Sequence, residues 1–153
     1  LLFFRGFNMK LFLSEIGESV STKKVDISEH RKEIVSGLNL VDADLDLSFY
    51  IAGETVVLKF TGTFTVDSLC DRCIEPVEIT VDINESYYVF PEDSKKDVDY
   101  YYSGDSIELI EYIRDIVIMN MPDKILCSED CKGLCANCGN NLNDRDCGCS
   151  NGE

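Results

Sequence analysis

Basic residues are scarce in this chain: 14 Lys and Arg stand against 29 Asp and Glu, a formal charge of −15 over 153 residues. So acidic a surface repels phosphate backbones and anionic membranes, and it attracts basic proteins and cations. Histidine is scarcer still, with His30 alone. A Cys/His nucleophile would have to recruit that one side chain from a polar, charged stretch, where a histidine is ordinarily solvated. Long apolar runs are also missing, and no segment approaches the ~20 residues of a membrane-spanning helix. The opening LLFFRGFNMKLFL is broken by Arg5, Asn8 and Lys10. It therefore lacks the unbroken stretch of about 7–15 apolar residues, and the small-residue cleavage site, of a secretory signal. These absences point to a cytoplasmic protein whose natural start is Met9, with residues 1–8 an upstream extension or expression remnant.

What is present suffices for one domain. A chain of this length buries roughly 68–70% of its unfolded surface, and 7 Tyr, 8 Phe and many Val, Ile and Leu supply the core. Residues 9–16 read as a short strand and 18–37 as a polar loop with one helical turn. From Val41 the apolar period is two. Val41, Ala43, Leu45, Leu47, Phe49 and Ile51 share one face, while Asp42, Asp44, Asp46, Ser48 and Tyr50 share the other. After Ala52-Gly53-Glu54 a second run places Val56, Leu58, Phe60, Phe64 and Val66 inward, with Gly62 marking a bulge or bend. Val77, Ile79, Val81 and Ile83 make a third, opposite Glu78, Thr80, Asp82 and Asn84. Residues 91–104 read as a loop. Asp105 then caps a helix, with Glu108 three residues on and a stripe of Leu109, Ile110, Ile113, Ile116, Val117 and Met121 that stops at Pro122. The expected class is α+β: an antiparallel β-sheet or partly closed barrel covered by one helix over residues 9–126. The Cys-rich tail, 127–153, docks on that same domain.

That tail holds few large apolar residues, so burial alone cannot order it. Its six cysteines can. With Cys70 and Cys73 upstream, the spacing is Cys70-x2-Cys73, then Cys127-x3-Cys131-x3-Cys135-x2-Cys138-x8-Cys147-x-Cys149. Zinc takes four soft ligands in a tetrahedron, and closely paired cysteines reach one ion from a single turn. Gly139 after Cys138, Gly148 after Cys147, and Gly133 two residues past Cys131 free the backbone to turn its amides toward sulfur. Eight thiols suit two sites: Cys135, Cys138, Cys147 and Cys149 within the tail, and Cys70, Cys73, Cys127 and Cys131 tying tail to sheet. One zinc ion with four spare thiols is the alternative division. A disulfide framework would require export. A redox pair at Cys70 and Cys73 would want a helix to begin there, and Pro76 and a strand follow instead.

Charge selects among partners. From Asn120 onward, Lys124, Lys132 and Arg145 face Asp123, Glu129, Asp130, Asp144, Asp146 and Glu153, so the tail is poorly equipped to hold phosphates. The row Asp42, Asp44, Asp46 suits a basic protein, or is simply a solvated strand face. The basic cluster Lys23, Lys24, His30, Arg31, Lys32 is the one place for an RNA phosphate, and Asp26, Glu29 and Glu33 dilute it.

Cys70-Asp71-Arg72-Cys73-Ile74 resembles the C-x-R-C-L signature of the YceD family. The run from Cys131 through Cys135, Cys138, Gly139 and Asn143 to Cys147 and Cys149 resembles the C-terminal cluster of its Firmicute-type members. Ile74 stands where Leu is usual, and Ala136 where Pro is common. The resemblance implies a non-enzymatic role in large-subunit ribosomal RNA accumulation and ribosome assembly. Its partner would be a basic ribosomal protein or assembly factor, and zinc would be structural. Arg72 is then either a contact residue or a donor to nearby carboxylates and carbonyls. The competing class is a redox-sensing zinc protein or chaperone that releases metal on oxidation.

Overall fold

Period-two alternation becomes three long strands in the computed structural model, which describes residues 9–34 and 38–149. The extension expected at 1–8 lies outside the described residues. In chain order the elements are β1 (Lys10–Phe12), β2 (Ser21–Val25), α1 (Arg31–Ile34), β3 (Asn39–Ala52), β4 (Thr55–Leu69), β5 (Pro76–Pro91), β6 (Tyr101–Tyr102), β7 (Ser106–Glu108) and α2 (Leu109–Asn120). One sheet runs β2-β3-β4-β5-β6 and a separate ladder joins β1 to β7. Among the described residues β2 and β6 are the free edges of the larger sheet, so it is open and the partly closed barrel is not formed. The sheet is mixed, because β6 lies parallel to β5.

β3 and β4 form a hairpin through Gly53-Glu54 that stays in register from Ala52↔Thr55 to Asp42↔Thr65. A register shift between Leu40 and Asp42 then makes Val41 the extra residue. Leu40 is buried instead of Val41, which corrects the expected phase at that end. Gly62 is not a bulge, since Leu45↔Gly62 and Gly62↔Ile83 continue both ladders.

Further expectations are corrected: the strand read over 9–16 is only Lys10–Phe12, and Leu13–Glu15 form a 3-10 turn. Ser21–Val25 is a strand, not loop, paired from Ser21↔Phe49 to Val25↔Leu45. Only Val25 of its five residues is buried, and a polar edge strand of this kind carries no strong period-two signal. Residues 101–102, expected in a loop, form the short edge strand β6. Asp105 does not cap α2, which begins at Leu109 with no side-chain cap. Ser106–Glu108 is instead drawn into β7: Leu13 N–H donates to the Asp105 carbonyl at 2.8 Å and Leu109 N–H to that of Met9 at 2.7 Å. Lys10 and Glu108 pair at 2.7 Å.

The core lies between the inner sheet face and α2. Leu45, Leu47, Phe60, Phe64 and Val66 pack there with Leu109, Ile113, Ile116 and Val117. Tyr112 joins them in place of the half-buried Ile110 and Met121. Its ring meets Tyr87 edge-on at 5.2 Å, Tyr87 meets Tyr100 at 5.0 Å, and the Tyr100 hydroxyl donates to Asp115 at 2.9 Å. Burial raises the phenols of Tyr100 and Tyr112 above their ordinary range. Before Pro122, Met121 turns to ψ 134 and ends the helix, as the clash with a following proline ring requires.

Candidate metal centres and the acidic sheet face

β4 ends at Leu69 and β5 begins at Pro76, and the turn between them is a cysteine knuckle. Cys70 N–H donates to the Glu75 carbonyl at 2.8 Å, and Ile74 N–H to that of Cys70 at 2.9 Å. The tail repeats the pattern with Cys135 N–H to Asn140 at 2.8 Å and Gly139 N–H to Cys135 at 2.9 Å. The two knuckles thus share one hydrogen-bond plan.

The tail is laced onto the first knuckle. Asp71 N–H donates to the Ile125 carbonyl at 2.7 Å, and Ile125 N–H to the Asp71 carboxylate at 2.7 Å. The Arg72 guanidinium donates to the carbonyls of Cys131 at 2.9 Å and Glu129 at 3.3 Å. Gly133 lies so near that a Cβ would stand 3.1 Å from the Arg72 carbonyl oxygen. Leu126 and Leu134 pack on the cysteines, half-buried.

These contacts bring the eight thiols into two sets of four. The sulfurs of Cys70, Cys73, Cys127 and Cys131 all lie within 4.8 Å of one another, as do those of Cys135, Cys138, Cys147 and Cys149. Either set could hold a metal ion. In the inner set Cys70, Cys73 and Cys131 are buried and Cys127 is exposed. In the outer set Cys135 is buried, Cys147 half-buried, and Cys138 and Cys149 exposed. The inner distances Cys70–Cys131 and Cys73–Cys127 are both 3.7 Å, far beyond the ~2.05 Å of a disulfide.

Four adjacent thiols cannot all ionise without a compensating cation. In each set at least one thiol is pulled down and others are pushed up. Backbone N–H groups of Cys73, Cys127 and Arg72 lower Cys70 to about 6, and those of Cys138 and Asn137 lower Cys135 to about 6. The Asn143 amide, 3.3 Å from the Cys131 sulfur, lowers that thiol. The neighbouring thiols of Cys147 and Cys138 raise Cys149 to about 12. At Cys73 the Glu75 N–H acts to lower the pKa, but burial and the surrounding thiols outweigh it and raise the group to about 12. A bound cation would hold all four as thiolates, releasing protons as it binds.

The sign of the pH dependence follows. A thiol depressed to about 6 stays ionised above that pH, so a metal ion bound to either set would be retained there. Retention would weaken as pH falls toward and below about 6, where protons compete for Cys70 and Cys135. Dialysis of metal-loaded protein from about pH 8 to about pH 5, with metal analysis at each step, should show that fall. Equal retention at both ends would contradict it.

Asp42, Asp44 and Asp46 all project from the outer face of β3, away from the core. Lys24 from β2 bonds the carboxylates of Asp44 and Asp46, and those bonds raise its pKa. Pairing extends the face across three strands: Asp42↔Thr65↔Thr80, Asp44↔Thr63↔Asp82, and at one end Asp67↔Glu78. Asp42, Asp44, Asp67, Glu78 and Asp82 are exposed. Alternation exposed Glu78 and Asp82 to sequence reading, but only the register aligns them with the β3 row. The sequence reading did not place Asp67 on this face.

Fold and thiols together define an acidic sheet protein with two four-cysteine knuckle centres able to hold metal ions. The chain belongs to the YceD family: a family model described as "Large ribosomal RNA subunit accumulation protein YceD" matches residues 58–153. It is similar to the chloroplastic YCED homolog 1 of Arabidopsis thaliana, 40% identical over 47 residues, covering 31% of this chain and 15% of that protein. It is also similar to an uncharacterised protein of Mycobacterium leprae, 31% identical over 106 residues, 65% of this chain and 48% of the relative. A Mycobacterium tuberculosis protein is 29% identical over 115 residues, covering 67% and 56%. The aligned part thus spans about half, or less, of the length of these relatives. No solved structure matches. No helix among the described residues is long and apolar enough to cross a membrane.

Proposed function

We propose that this protein is a non-enzymatic factor that supports large-subunit ribosomal RNA accumulation by holding or delivering a basic ribosomal protein or assembly factor. The observation that carries the reading is the outer sheet face, where Asp42, Asp44, Asp46, Asp67, Glu78 and Asp82 crowd three adjoining strands. Such a face attracts cationic protein and repels bare RNA. The family description supplies the process.

Zinc is the ion we assign to both thiol sets. A tetrahedron with zinc–sulfur bonds of about 2.3 Å has sulfur–sulfur edges of about 3.8 Å, and the two inner distances of 3.7 Å match it. In this reading the metal is a staple, and it deepens the acidity. Each four-thiolate zinc centre carries −2, taking the chain from −15 to about −19.

Electrostatic capture makes a direct expectation. Metal-loaded protein should retain one or a few basic proteins from a mixture stripped off purified large subunits by high salt, and release them as ionic strength rises. The triple variant Asp42→Asn, Asp44→Asn, Asp46→Asn should bind about 3- to 150-fold more weakly, at about 0.2–1 kcal/mol for each exposed charge. Retention of naked ribosomal RNA and no basic protein would sink the mechanism.

A further inference from the structure

The first knuckle contains a residue that metal binding does not call for. Ile74, next to Cys73, sits at φ 62, the one non-glycine with positive φ among the described residues. A β-branched side chain is the least suited to that conformation. The second knuckle shows what the turn prefers. Gly139 occupies the equivalent place after Cys138 at φ 73, with its N–H on the Cys135 carbonyl at 2.9 Å, as Ile74 has on Cys70. Two turns of one plan therefore differ at the position where glycine is free of strain and isoleucine is not.

Burial does not repay the strain. Ile74 is 58% exposed, and Leu69, across the knuckle base at the end of β4, is 51% exposed. The knuckle thus presents two large apolar side chains to water, one of them in a conformation that works against it. The knuckle imposes this conformation, and strained backbone of this kind clusters at functional and contact sites.

The surroundings indicate what it contacts. Asp71, which accepts the Ile125 N–H, and Glu75 belong to the same knuckle as Ile74, and the tail segment bonded to it carries Asp123, Glu129 and Asp130 against Lys124 and Lys132. Arg72, the nearest cation in sequence, is turned onto the carbonyls of Cys131 and Glu129. An apolar tip within carboxylates fits a cationic protein segment that contributes an apolar side chain, and it disfavours a phosphate backbone. We infer that this knuckle, with Ile74 exposed in its turn and Leu69 exposed at its base, is a docking point for a basic protein segment. This rests on the reading of a basic protein partner and adds to it an apolar anchor outside the Asp42–Asp46 row.

The test uses the full metal-loaded chain with Ile74→Gly and, separately, Leu69→Ala, probed with proteins salt-stripped from purified large subunits. Ile74→Gly should keep its metal content, unfold about 2–6 °C higher as the strain is relieved, and bind the retained protein at least tenfold more weakly. Leu69→Ala should weaken binding in the same direction. A variant that is more stable yet binds worse cannot be explained by damage to the fold. If Ile74→Gly binds as tightly as the parent, unfolds lower or loses metal, the docking point is overturned, while the acidic-face reading stands so long as the parent retains a basic protein. If the parent retains none, both fall. If the material lost is ribosomal RNA, a protein occupant is wrong.

Discussion

Replacing Cys131 with serine is expected to halve the metal content, from two ions per chain to one, and to free the tail from the sheet. Cys131 is 4% exposed, stands 3.7 Å from the Cys70 sulfur and accepts the Asn143 amide at 3.3 Å. It belongs to the set whose members come from both the β4–β5 knuckle and the tail. Structural zinc in small peptides contributes about 10–16 kcal/mol of apparent binding energy, and that energy is folding energy for the segment it organises. Leu126 and Leu134 are the apolar residues packed on this cluster, too little to substitute for the ion. Hydrogen exchange should therefore quicken across residues 123–149 while β3, β4 and β5 keep their protection. Cys149→Ser, in the more exposed outer set, should also cost one ion but leave residues 123–131 protected. Two ions retained by Cys131→Ser, or unchanged exchange in the tail, would refute the staple.

Gly62→Ala should be the most damaging single methyl addition in the sheet. Gly62 lies mid-strand in β4, bonded on one side to β3 and on the other to β5, at φ 135. A Cβ there would collide with the Asp44 carbonyl oxygen and come within 3.1 Å of the Leu45 Cα. Neither is the end of a flexible side chain, so a ladder strand must move. Strained backbone costs about 1–3 kcal/mol and overpacking about as much again, giving a loss of about 2–6 kcal/mol. A domain of this size has only about 5–15 kcal/mol in hand. Urea unfolding measures the loss, and a change below about 1 kcal/mol would show that the sheet relaxes around the added methyl.

Legibility along the chain followed the strength of local pattern. β3, β4 and the first half of β5 were readable because sustained alternation has no helical equivalent, though the continuation of β5 to Pro91 was not read. α2 was readable because its stripe is periodic and Pro122 stops it. β2 was missed because its one buried residue, Val25, makes no pattern. Its place comes from five main-chain partners on β3, Leu45 to Phe49, which propensity cannot register. The helix start was misplaced because Asp105 and Glu108 have the spacing of a cap, yet β1, almost a hundred residues earlier, claims Ser106–Glu108 for its ladder. Tyr112 was not among the residues read as the stripe, and it is buried where Tyr87 and Tyr100 meet it. The Cys sets were readable as ligand types and as a preferred division, although the inner set joins residues 54 and 61 positions apart.

Composition and spacing by themselves determined the charge, the soft-ligand chemistry and the need for a staple. These are counts of side-chain types, and no conformation alters them. The tertiary structure decided which cysteines meet, which carboxylates share a face, and that the sheet stays open. Those depend on strand register and on chain segments far apart in sequence. It alone revealed that Ile74 holds the conformation its counterpart Gly139 reaches without strain, because φ is settled by the closed knuckle and not by the residue that occupies it.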